Sequence, residues 1–464
     1  MKPSSVPAGG DRRALARPHG LRDRLGGSRT LWLVVGAIAV AVSVVRIAGY
    51  TSFLDRTEVV DSDFPQDYVS AREWIEGGDP YAPMAELTHK HLGPGSDTRL
   101  GYEAGQRNPH PPALIVVQTP LSRLDVSVAR TTFMVAMLLT IFLALALFMI
   151  EIGLNRLTAS VAAFGALALP IIGFEMRWGQ INGLLLLTLV LGWRDLRRGR
   201  DLRAGLWLGV ATALKVFPWM LIIPLVRAKR MKAAGWMLAS AIGFTLAGVA
   251  AVGVDATRTF LKIAMPENVE IWGAAPHSIS LVTLPFRLFA ADRWLNPSVA
   301  VAPWVGWLGV LAVVACALAV WHTSTAVSRD PFWGAVPWII LGTPVAWAHY
   351  LVIVLPLAIL VVLRWRRVTQ PLKAFLALGC VLFALGPAYL DWLSTVGGFS
   401  LQDYGNVVAG TTILMAGLAV IGIADLRGDD RSDRRRDADD GVAPGIGDRH
   451  VDPGTQLVGA HDAE

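Results

Sequence analysis

The fold is decided by residues 126–150, which read VSVARTTFMVAMLLTIFLALALFMI. The run is predominantly apolar, and a helix of this length, rising about 1.5 Å per residue, spans the roughly 30 Å hydrocarbon core of a bilayer. Its apolar residues are continuous and do not alternate with polar ones, as they would in a strand of a membrane β-barrel. The run therefore predicts a transmembrane helix.

Similar runs recur along most of the chain. The protein has 464 residues, of which 53% are hydrophobic, and its mean hydropathy is +0.48. These values are typical of membrane proteins, and we predict an all-α polytopic fold of roughly ten to twelve transmembrane helices with broken or re-entrant segments. The candidate spans are residues 30–50, 126–150, 157–174, 181–193, 233–253, 301–321, 333–348, 351–365, 372–390 and 407–426.

Lysine and arginine residues in the short loops predict the orientation, because such loops stay on the cytoplasmic side. The basic arm at residues 1–29 is expected inside. No small-residue cleavage site follows the first apolar run, so we expect that run to remain as an uncleaved span. The basic loops 194–203, 227–232 and 364–367 are also expected inside.

Residues 204–226 are apolar but interrupted at Lys215 and Pro218. A single crossing at this point would place the basic cluster 227–232 outside, against the charge rule. We therefore predict that the segment enters the membrane and returns as two short half-helices.

This topology divides the chain into a membrane domain and two flexible ends. The membrane domain is predicted at residues 30–426, with outer segments at about 51–125 and 254–300. The arm 1–29 and the charged tail 427–464 are expected to be disordered in the cytoplasm, because the composition of the ends cannot support a packed core. The prediction is a multi-pass protein of the cell membrane with both termini inside.

Composition and motifs exclude several function classes. The net charge of +6 comes mainly from the loops that set the topology, and these also favour anionic lipid headgroups. Basic residues are not interleaved with aromatic ones in a soluble domain, so nucleic acid is not an expected partner. The sequence has no Walker-type phosphate loop and no zinc-type cluster. Cys316 and Cys380 lie within predicted spans and are expected to be small packing residues.

Polar residues gather at the predicted outer ends of the spans. The first outer segment contains DFPQDYVSAREWIEGGDPY at residues 63–81. The outer face has no pool of nucleotide sugars or ATP, so an enzyme that works there must take its activated substrate from a lipid. The polar residues expected at this face are Asp61, Asp63, Asp67, Gln180, Asn182, His277, His349 and the segment 108–112.

Each of these features also has an ordinary structural interpretation. Loop carboxylates are usually solvated, and residues 108–112 fit a rigid turn. His349 fits an interfacial aromatic belt, and Gln180 and Asn182 fit a junction between two helices. Lys215 within an apolar stretch is costly, so it is functional, paired or reaches a lipid headgroup.

Taken in order, the motifs resemble those of polyprenyl-phosphate-sugar-dependent glycosyltransferases of the GT-C architecture, specifically glycosyltransferase family 87. The resemblance runs over about residues 30–426. Its carriers are DF…Y…A at 63–71 with GDPY at 78–81, the prolines 111–112, GQIN at 179–182, the series Gly205…Gly209…Lys215…Pro218 with the basic residues after it, and TPVAWAHY at 343–350.

The resemblance implies an inverting transfer of a sugar from a polyprenyl phosphate to a hydroxyl of a cell-envelope glycolipid or lipoglycan, on the extracytoplasmic face. Mannose, from polyprenyl phosphate mannose, is the expected sugar. Arabinofuranose is the alternative, because the family carries both. The lipid-linked sugar is a substrate, and neither a cofactor nor a metal is expected.

Such a reaction needs a base for the accepting hydroxyl and groups that stabilise the leaving phosphate. One carboxylate suffices for an inverting displacement, whereas hydrolases use two. The resemblance places the base at Asp63, with Asp67 and Asp61 as alternatives. The residues predicted to bind the donor phosphate or the acceptor are His349, Gln180, Asn182, His277 and Lys215.

Two other function classes remain open. A lipid or sugar transporter would also have broken helices and polar residues within the membrane, although here the polar residues lie at one face and no inverted repeat is apparent. A non-catalytic envelope protein of the same family would carry the same spans, and it would not depend on Asp63.

Overall fold

The structure is a computed structural model, and it describes residues 29–96, 105–272, 275, 278–285, 305–323, 331–394 and 401–424. Regular structure within these ranges is helical, with no strand, which agrees with the all-α prediction. Apart from Arg29, the predicted arm 1–29 lies outside the described residues, and so does the tail 427–464.

The described helices are numbered here in chain order. In the first part of the chain they are α1 (Arg29–Gly49), α2 (Arg56–Asp61), α3 (Phe64–Ile75), α4 (Met84–Leu92), α5 (Pro112–Ser122), α6 (Val126–Glu151), α7 (Arg156–Ala166), α8 (Pro170–Trp178), α9 (Asn182–Arg197) and α10 (Asp201–Leu214). The later ones are α11 (Ile222–Arg227), α12 (Met231–Val252), α13 (Val254–Thr259), α14 (Met265–Trp272), α15 (Val305–Thr323), α16 (Pro331–Leu341), α17 (Leu351–Leu363), α18 (Gln370–Ser394) and α19 (Leu401–Ala424). Short 3₁₀ helices lie at Tyr50–Leu54, Phe217–Leu221, Ala348–Tyr350 and Trp365–Arg367, and a π-helical turn lies at Phe260–Ala264.

Length and hydropathy identify helices that can cross a membrane. Among the described residues four helices meet both conditions, including α6 and α12. The pair α7 and α8, bent by 62°, would be a fifth if it forms one broken span. Other apolar helices, such as α5, are shorter. These features support a polytopic helical membrane protein, while the number of ten to twelve spans still rests on the sequence.

Ion pairs mark one end of the helix bundle. Glu151, at the end of α6, accepts hydrogen bonds from Arg194 at 3.2 Å and Arg198 at 2.7 Å, near the end of α9. Asp201, at the start of α10, lies 3.2 Å from the guanidinium of Arg230, just before α12. This is the end that the basic loops predict to be cytoplasmic.

The segment between α9 and α12 leaves this end and returns to it. α10 runs along α9 until Lys215, which bonds to Asn182 at the opposite end of α9. The chain then turns through Phe217–Leu221 into α11, and Arg230 is again beside Asp201. The observed path is therefore a hairpin, the course that the basic loops predict for residues 204–226.

Glycines hold α10 against α12. A Cβ atom added at Gly205 would lie 2.6 Å from the carbonyl oxygen of Ala233, and one at Gly209 would lie 2.6 Å from that of Met237. Small residues four apart let two helix backbones approach closely within a membrane. The close packing fixes the end of α10, from which Lys215 reaches α9.

The described part of residues 51–125, the predicted first outer segment, is helical and packed. α3 packs against α4 and α5, and its Phe64 and Tyr68 are 1% exposed. The Tyr68 hydroxyl donates to the carbonyl of Leu124 at 2.8 Å, which anchors α3 to the start of α6. Most of the motif quoted at residues 63–81 thus lies on a helix with a buried face.

Candidate active site

Asp63 lies between α2 and α3, beside the end of α8. It precedes α3, whose first turn contains Pro65, a residue that favours helix starts. Its backbone N–H donates to the carbonyl of Trp178, the last residue of α8, at 2.8 Å. The side chain does not cap α3 and is half-buried, so the carboxylate is available for other contacts.

Each carboxylate oxygen of Asp63 accepts a hydrogen bond from a glutamine. Gln180 Nε2 donates to Oδ2 at 2.7 Å, and Gln66 Nε2 donates to Oδ1 at 3.0 Å. Donors on both oxygens favour the ionised carboxylate. The two amide hydrogen bonds thereby hold the carboxylate in one orientation.

A buried lysine sets the direction of the Gln180 amide. Lys215 Nζ donates to Gln180 Oε1 at 2.8 Å and to Asn182 Oδ1 at 3.2 Å. An ammonium group can only donate, so Gln180 turns its carbonyl to Lys215 and its NH₂ group to Asp63. Lys215 Nζ also lies 4.6 Å from the ring centre of Tyr350, within cation–π range.

A second relay reaches the other carboxylate oxygen. Gln106 Nε2 donates to Gln66 Oε1 at 3.1 Å, and the Trp272 indole N–H donates to Gln106 Oε1 at 3.2 Å. An indole nitrogen is also only a donor, so this chain of amides points from Trp272 to Asp63. Because Trp272 ends α14, the relay joins the two segments predicted to lie outside.

The turn that carries Gln180 depends on a glycine. Gly179 has a φ of +66°, in the left-handed region that favours glycine. A Cβ atom there would lie 2.3 Å from Arg130 Nη1 and 2.8 Å from Phe64 Cβ. The buried Arg130 donates to the carbonyls of Met176 and Arg177, which closes the end of α8. The turn is thereby packed between α6 and α3.

Glu175 holds the start of α9 beneath the same turn. Its fully buried carboxylate accepts the backbone N–H of Asn182 at 3.0 Å and the side-chain NH₂ of Asn182 at 2.9 Å. Helix starts carry unpaired N–H groups that a carboxylate can satisfy. Asn182 therefore bridges the carboxyl group of Glu175 and the amine of Lys215.

Asp67 takes part in a neighbouring network. Its Oδ1 accepts hydrogen bonds from Asn108 Nδ2 at 3.2 Å and contacts His110 Nδ1 at 2.8 Å. Asn108 also donates to the backbone carbonyl of Gln66 at 3.0 Å. Burial raises the pKa of Tyr81, with nearby carboxylates acting in the same direction, so its hydroxyl stays protonated and donates to the His110 carbonyl at 2.9 Å.

His349 lies next to Tyr350, which contacts Lys215. It is buried in the 3₁₀ helix Ala348–Tyr350, and its ring packs edge-on against Tyr350 with centroids 4.9 Å apart. Tyr350 in turn contacts Lys215 and Phe217. His349 is thus joined to the Lys215 network through an aromatic ring.

The structure brings several of the predicted residues into one network: Asp63, Gln180, Asn182 and Lys215. His349 adjoins it, and Asp67 belongs to the neighbouring one. Asp61 ends α2 with an exposed side chain outside both networks. His277 lies outside the described residues.

His110 lies in the segment 108–112 that the sequence indicated. Other members of the networks did not stand out in the sequence: Gln66, Gln106, Trp272 and Glu175. Glu175 offered the best signal, since a carboxylate within an apolar stretch needs a partner. The amides and Trp272 gave none, because their pairing depends on contacts distant in sequence.

A cluster on α3 and α4 has ligand-type side chains: oxygen and nitrogen atoms of Glu73, Glu76 and His91 lie within 4.8 Å of one another. Lys90 Nζ lies 2.6 Å from Glu73 and 3.6 Å from Glu76, and so already supplies positive charge there. Burial opposes ionisation of Glu73, yet the hydrogen bonds from Lys90 and His91 outweigh it and lower the pKa of Glu73. The cluster acts as an ion-pair link between two helices.

Chemically, the arrangement offers a carboxylate held at a helix junction by one amide donor on each oxygen, with the buried Lys215 behind one of these amides. The family model of glycosyltransferase family 87 matches residues 109–340, which is half of the chain and includes Gln180, Asn182 and Lys215. No curated protein matches the chain. The chain belongs to glycosyltransferase family 87 and is a membrane glycosyltransferase.

Proposed function

We propose that the protein transfers mannose, with inversion, from polyprenyl phosphate mannose to a hydroxyl of a cell-envelope glycolipid or lipoglycan. The reaction takes place on the extracytoplasmic face of the cell membrane. The observation that carries the proposal is the Asp63 carboxylate, which two oriented amides hold at the junction of the outer segment and the membrane domain.

Asp63 is the general base. It accepts the proton of the attacking hydroxyl while the oxygen of that hydroxyl bonds to the anomeric carbon of mannose. The bond from the anomeric carbon to the phosphate oxygen breaks, and polyprenyl phosphate leaves with the electron pair. A positioned base contributes about 10²–10⁴-fold to such a step. The donor is already activated, so the proposal requires neither a metal nor a cofactor.

The leaving phosphate binds on the side of Lys215 and His349. Lys215 is 5% exposed and occupied by Gln180 and Asn182, so its charge acts on the phosphate through space. His349 is the candidate for a direct hydrogen bond, with His277 as a further one. Gln180 and Asn182 position the charged groups.

The sugar and the acceptor are the finer part of the proposal. Arabinofuranose, from polyprenyl phosphate arabinose, is the second candidate donor sugar. Transport of a lipid or sugar, and a non-catalytic role in the envelope, are the alternatives of other classes.

The test is sugar transfer by membranes that contain the full-length protein. Membranes with the wild type, Asp63→Asn or Asp61→Asn receive labelled polyprenyl phosphate mannose and a lipid acceptor fraction. We expect Asp63→Asn to lose at least about 100-fold of the transfer rate, the lower range for a general base. Asp61→Asn makes the same charge change at an exposed site and should retain activity.

The other outcomes are equally informative. Full activity in Asp63→Asn would contradict the assignment of the base and point to Asp67. Transfer from the arabinose donor alone would replace the sugar. A wild type that transfers neither sugar, at normal expression, would overturn the proposed reaction in favour of transport or a non-catalytic role.

A further inference from the structure

Asp67 and His110 form a pair that the relays to Asp63 do not use. Asp67 follows Asp63 by four residues along α3, a spacing that places two side chains on the same face of a helix. Its Oδ1 lies 2.8 Å from His110 Nδ1. The pair is therefore about one helical turn from the proposed base.

The carboxylate fixes the orientation of the imidazole ring. A carboxylate bonded to Nδ1 holds the proton there and leaves Nε2 as a hydrogen-bond acceptor. The Asp67 side chain is 5% exposed and that of His110 is 13% exposed, so the carboxylate is enclosed while the ring reaches the surface. Among the residues that the structure describes, Asp67 is the side chain that bonds to the His110 ring.

The charge of the Asp67–His110 pair indicates which class of ligand it can bind. Asp67 brings a negative charge, and its hydrogen-bond partners Asn108 and His110 are side chains without a fixed positive charge. Lys215 acts on Asp67 only through space, since its own hydrogen bonds go to Gln180 and Asn182. Such a site repels a phosphate and suits the hydroxyl groups of a neutral sugar, which donate hydrogen bonds to carboxylate and imidazole acceptors.

Reaction geometry indicates which sugar this is. In an inverting displacement the attacking oxygen, the anomeric carbon and the leaving oxygen lie in line. Gln180, on the Lys215 side, bonds to Asp63 Oδ2, whereas Gln66, which adjoins the Asp67 network, bonds to Oδ1. With the phosphate on the Lys215 side, the sugar that carries the attacking hydroxyl extends toward Asp67.

We propose that Asp67 and His110 form a subsite for the hydroxyl groups of the acceptor sugar, with His110 Nε2 receiving one of their hydrogen bonds. Asp67 is the positioning residue of the pair. The assignment to the acceptor rests on the proposed function, whereas sugar binding at the pair does not.

Sugar binding is measured first, without turnover. The full-length protein in lipid nanodiscs free of glycoside detergent is titrated with methyl α-mannoside, and binding is followed by saturation-transfer NMR. Loss of a hydrogen bond in His110→Ala should raise the dissociation constant at least about tenfold. His110→Gln keeps an acceptor atom and should recover part of the affinity. His89→Ala removes an exposed histidine of α4 as the matched control.

Steady-state kinetics then separates the two substrates. In His110→Ala we expect the KM for the acceptor to rise about tenfold, with the KM for the donor and kcat near the wild-type values. A purely structural role would not divide the two KM values in this way.

Two results would overturn the proposal. One is equal mannoside affinity in the wild type and in both His110 variants, with unchanged thermal unfolding. The other is a rise in the KM for the donor instead, which would place the donor phosphate at the pair. If the wild type transfers no sugar, the proposed function fails, and the NMR titration still decides whether the subsite exists.

Discussion

The carboxylate of Asp63 receives one amide hydrogen bond on each oxygen, and both amides are oriented from behind. Lys215 orients Gln180, and Trp272 acts through Gln106 on Gln66. Lys215 and the Trp272 indole, at the far ends of the two relays, can only donate hydrogen bonds. Each relay therefore turns the NH₂ group of its last glutamine toward the carboxylate. The carboxylate that we propose as the base is thus held in place before the substrate arrives.

Replacing Gln180 by Glu reverses this arrangement. The new carboxylate would face Asp63 across 2.7 Å in place of a donor, and like charges make each group harder to ionise. We expect kcat to fall by about 10–100-fold, as for loss of one oriented donor, and the acidic limb of the pH–rate profile to move to higher pH. Transfer assays over a range of pH test this.

Gln180→Met is the matched control, because it removes the donor without adding charge. Its kcat should fall while the acidic limb moves less than in Gln180→Glu. An unchanged pH profile in Gln180→Glu would contradict the role assigned to this amide.

The sequence predicted part of this residue-level picture. Lys215 stood out because a charge within an apolar run is costly. Asp63, Gln180 and Asn182 stood out by their place at the predicted outer face and in the family resemblance, and all four do meet in one network. The partners of these residues were missed, since nothing in a local pattern tells a bonded glutamine from a solvated one. His349 was foreseen as a histidine of the outer face, but its packing against Tyr350 was not.

At the scale of elements, the turn between α8 and α9 determines where Gln180 lies. Gly179→Ala would force a side chain into a left-handed backbone and into Arg130. We expect a loss of about 1–3 kcal/mol in the free energy of unfolding, the usual cost of such strain, together with loss of transfer. Thermal unfolding in nanodiscs and transfer assays measure the two effects.

Gly235→Ala provides the comparison. Gly235 lies within α12, and a Cβ atom there would meet nothing within 4 Å. The substitution should leave stability unchanged or raise it by up to about 1 kcal/mol, since alanine favours helix over glycine. Equal effects of both substitutions would show that the Gly179 turn is not under the constraint described.

The ion-pair cluster of Glu73 with Lys90 and His91, which links α3 and α4, should make the stability of the protein depend on pH. The pKa of Glu73 is lowered in the folded protein, so its contribution is present above the unfolded value of about 4.3 and is lost as the pH falls through the folded value. The pKa of Lys90 is raised, so the lysine keeps its charge throughout this range.

Glu73→Gln should therefore lower the free energy of unfolding by about 1–2 kcal/mol at pH 7, the range for hydrogen bonds to charged groups. The difference from the wild type should shrink toward zero below pH ~4. Glu86→Gln, at an exposed position of α4, is the control. Thermal unfolding at several pH values measures this difference. A difference between the wild type and Glu73→Gln that does not vary with pH would contradict the assigned role of the Glu73 carboxylate.

The sequence predicted the presence of the helices better than their bends and their packing. Apolar runs predicted the helices, and the interruption at Lys215 and Pro218 predicted the hairpin. The 62° bend between α7 and α8 was missed within the predicted span 157–174, although Pro170 marks it. The outer segment 51–125 gave no sign of its tertiary packing, because that packing depends on residues far apart in the chain.

At the scale of the whole molecule, the two ends of the bundle differ in chemistry. One end carries the arginine–carboxylate pairs of Glu151 and Asp201, and the other carries Asp63 and its relays. The charge rule predicts that the arginine end faces the cytoplasm.

Cysteine labelling tests this orientation. In a background without Cys316 and Cys380, Glu86→Cys should react with a membrane-impermeant maleimide in intact spheroplasts. Arg203→Cys, at an exposed position of the other end, should react only after permeabilisation. The opposite pattern would invert the topology and place Asp63 in the cytoplasm.

The number of crossings is the global property that sequence determines least. A hydropathy window registers an apolar stretch whether it crosses, bends or returns, and α5 and α11 illustrate apolar helices too short to cross. The course of such a segment is shown by its tertiary contacts, such as the ion pair of Arg230 with Asp201 that brings residues 204–226 back to the end where they began.

The hairpin of α10 and α11 also has a consequence for biogenesis. Neither arm approaches the roughly 20 residues of a self-sufficient span, and a lysine at its tip opposes partitioning into lipid. During synthesis the translocon should therefore release this hairpin only after α12 emerges and packs onto Gly205 and Gly209. Arrest-peptide measurements of pulling force should show the insertion event at the length that exposes α12, and an event at the length that exposes α10 alone would contradict it.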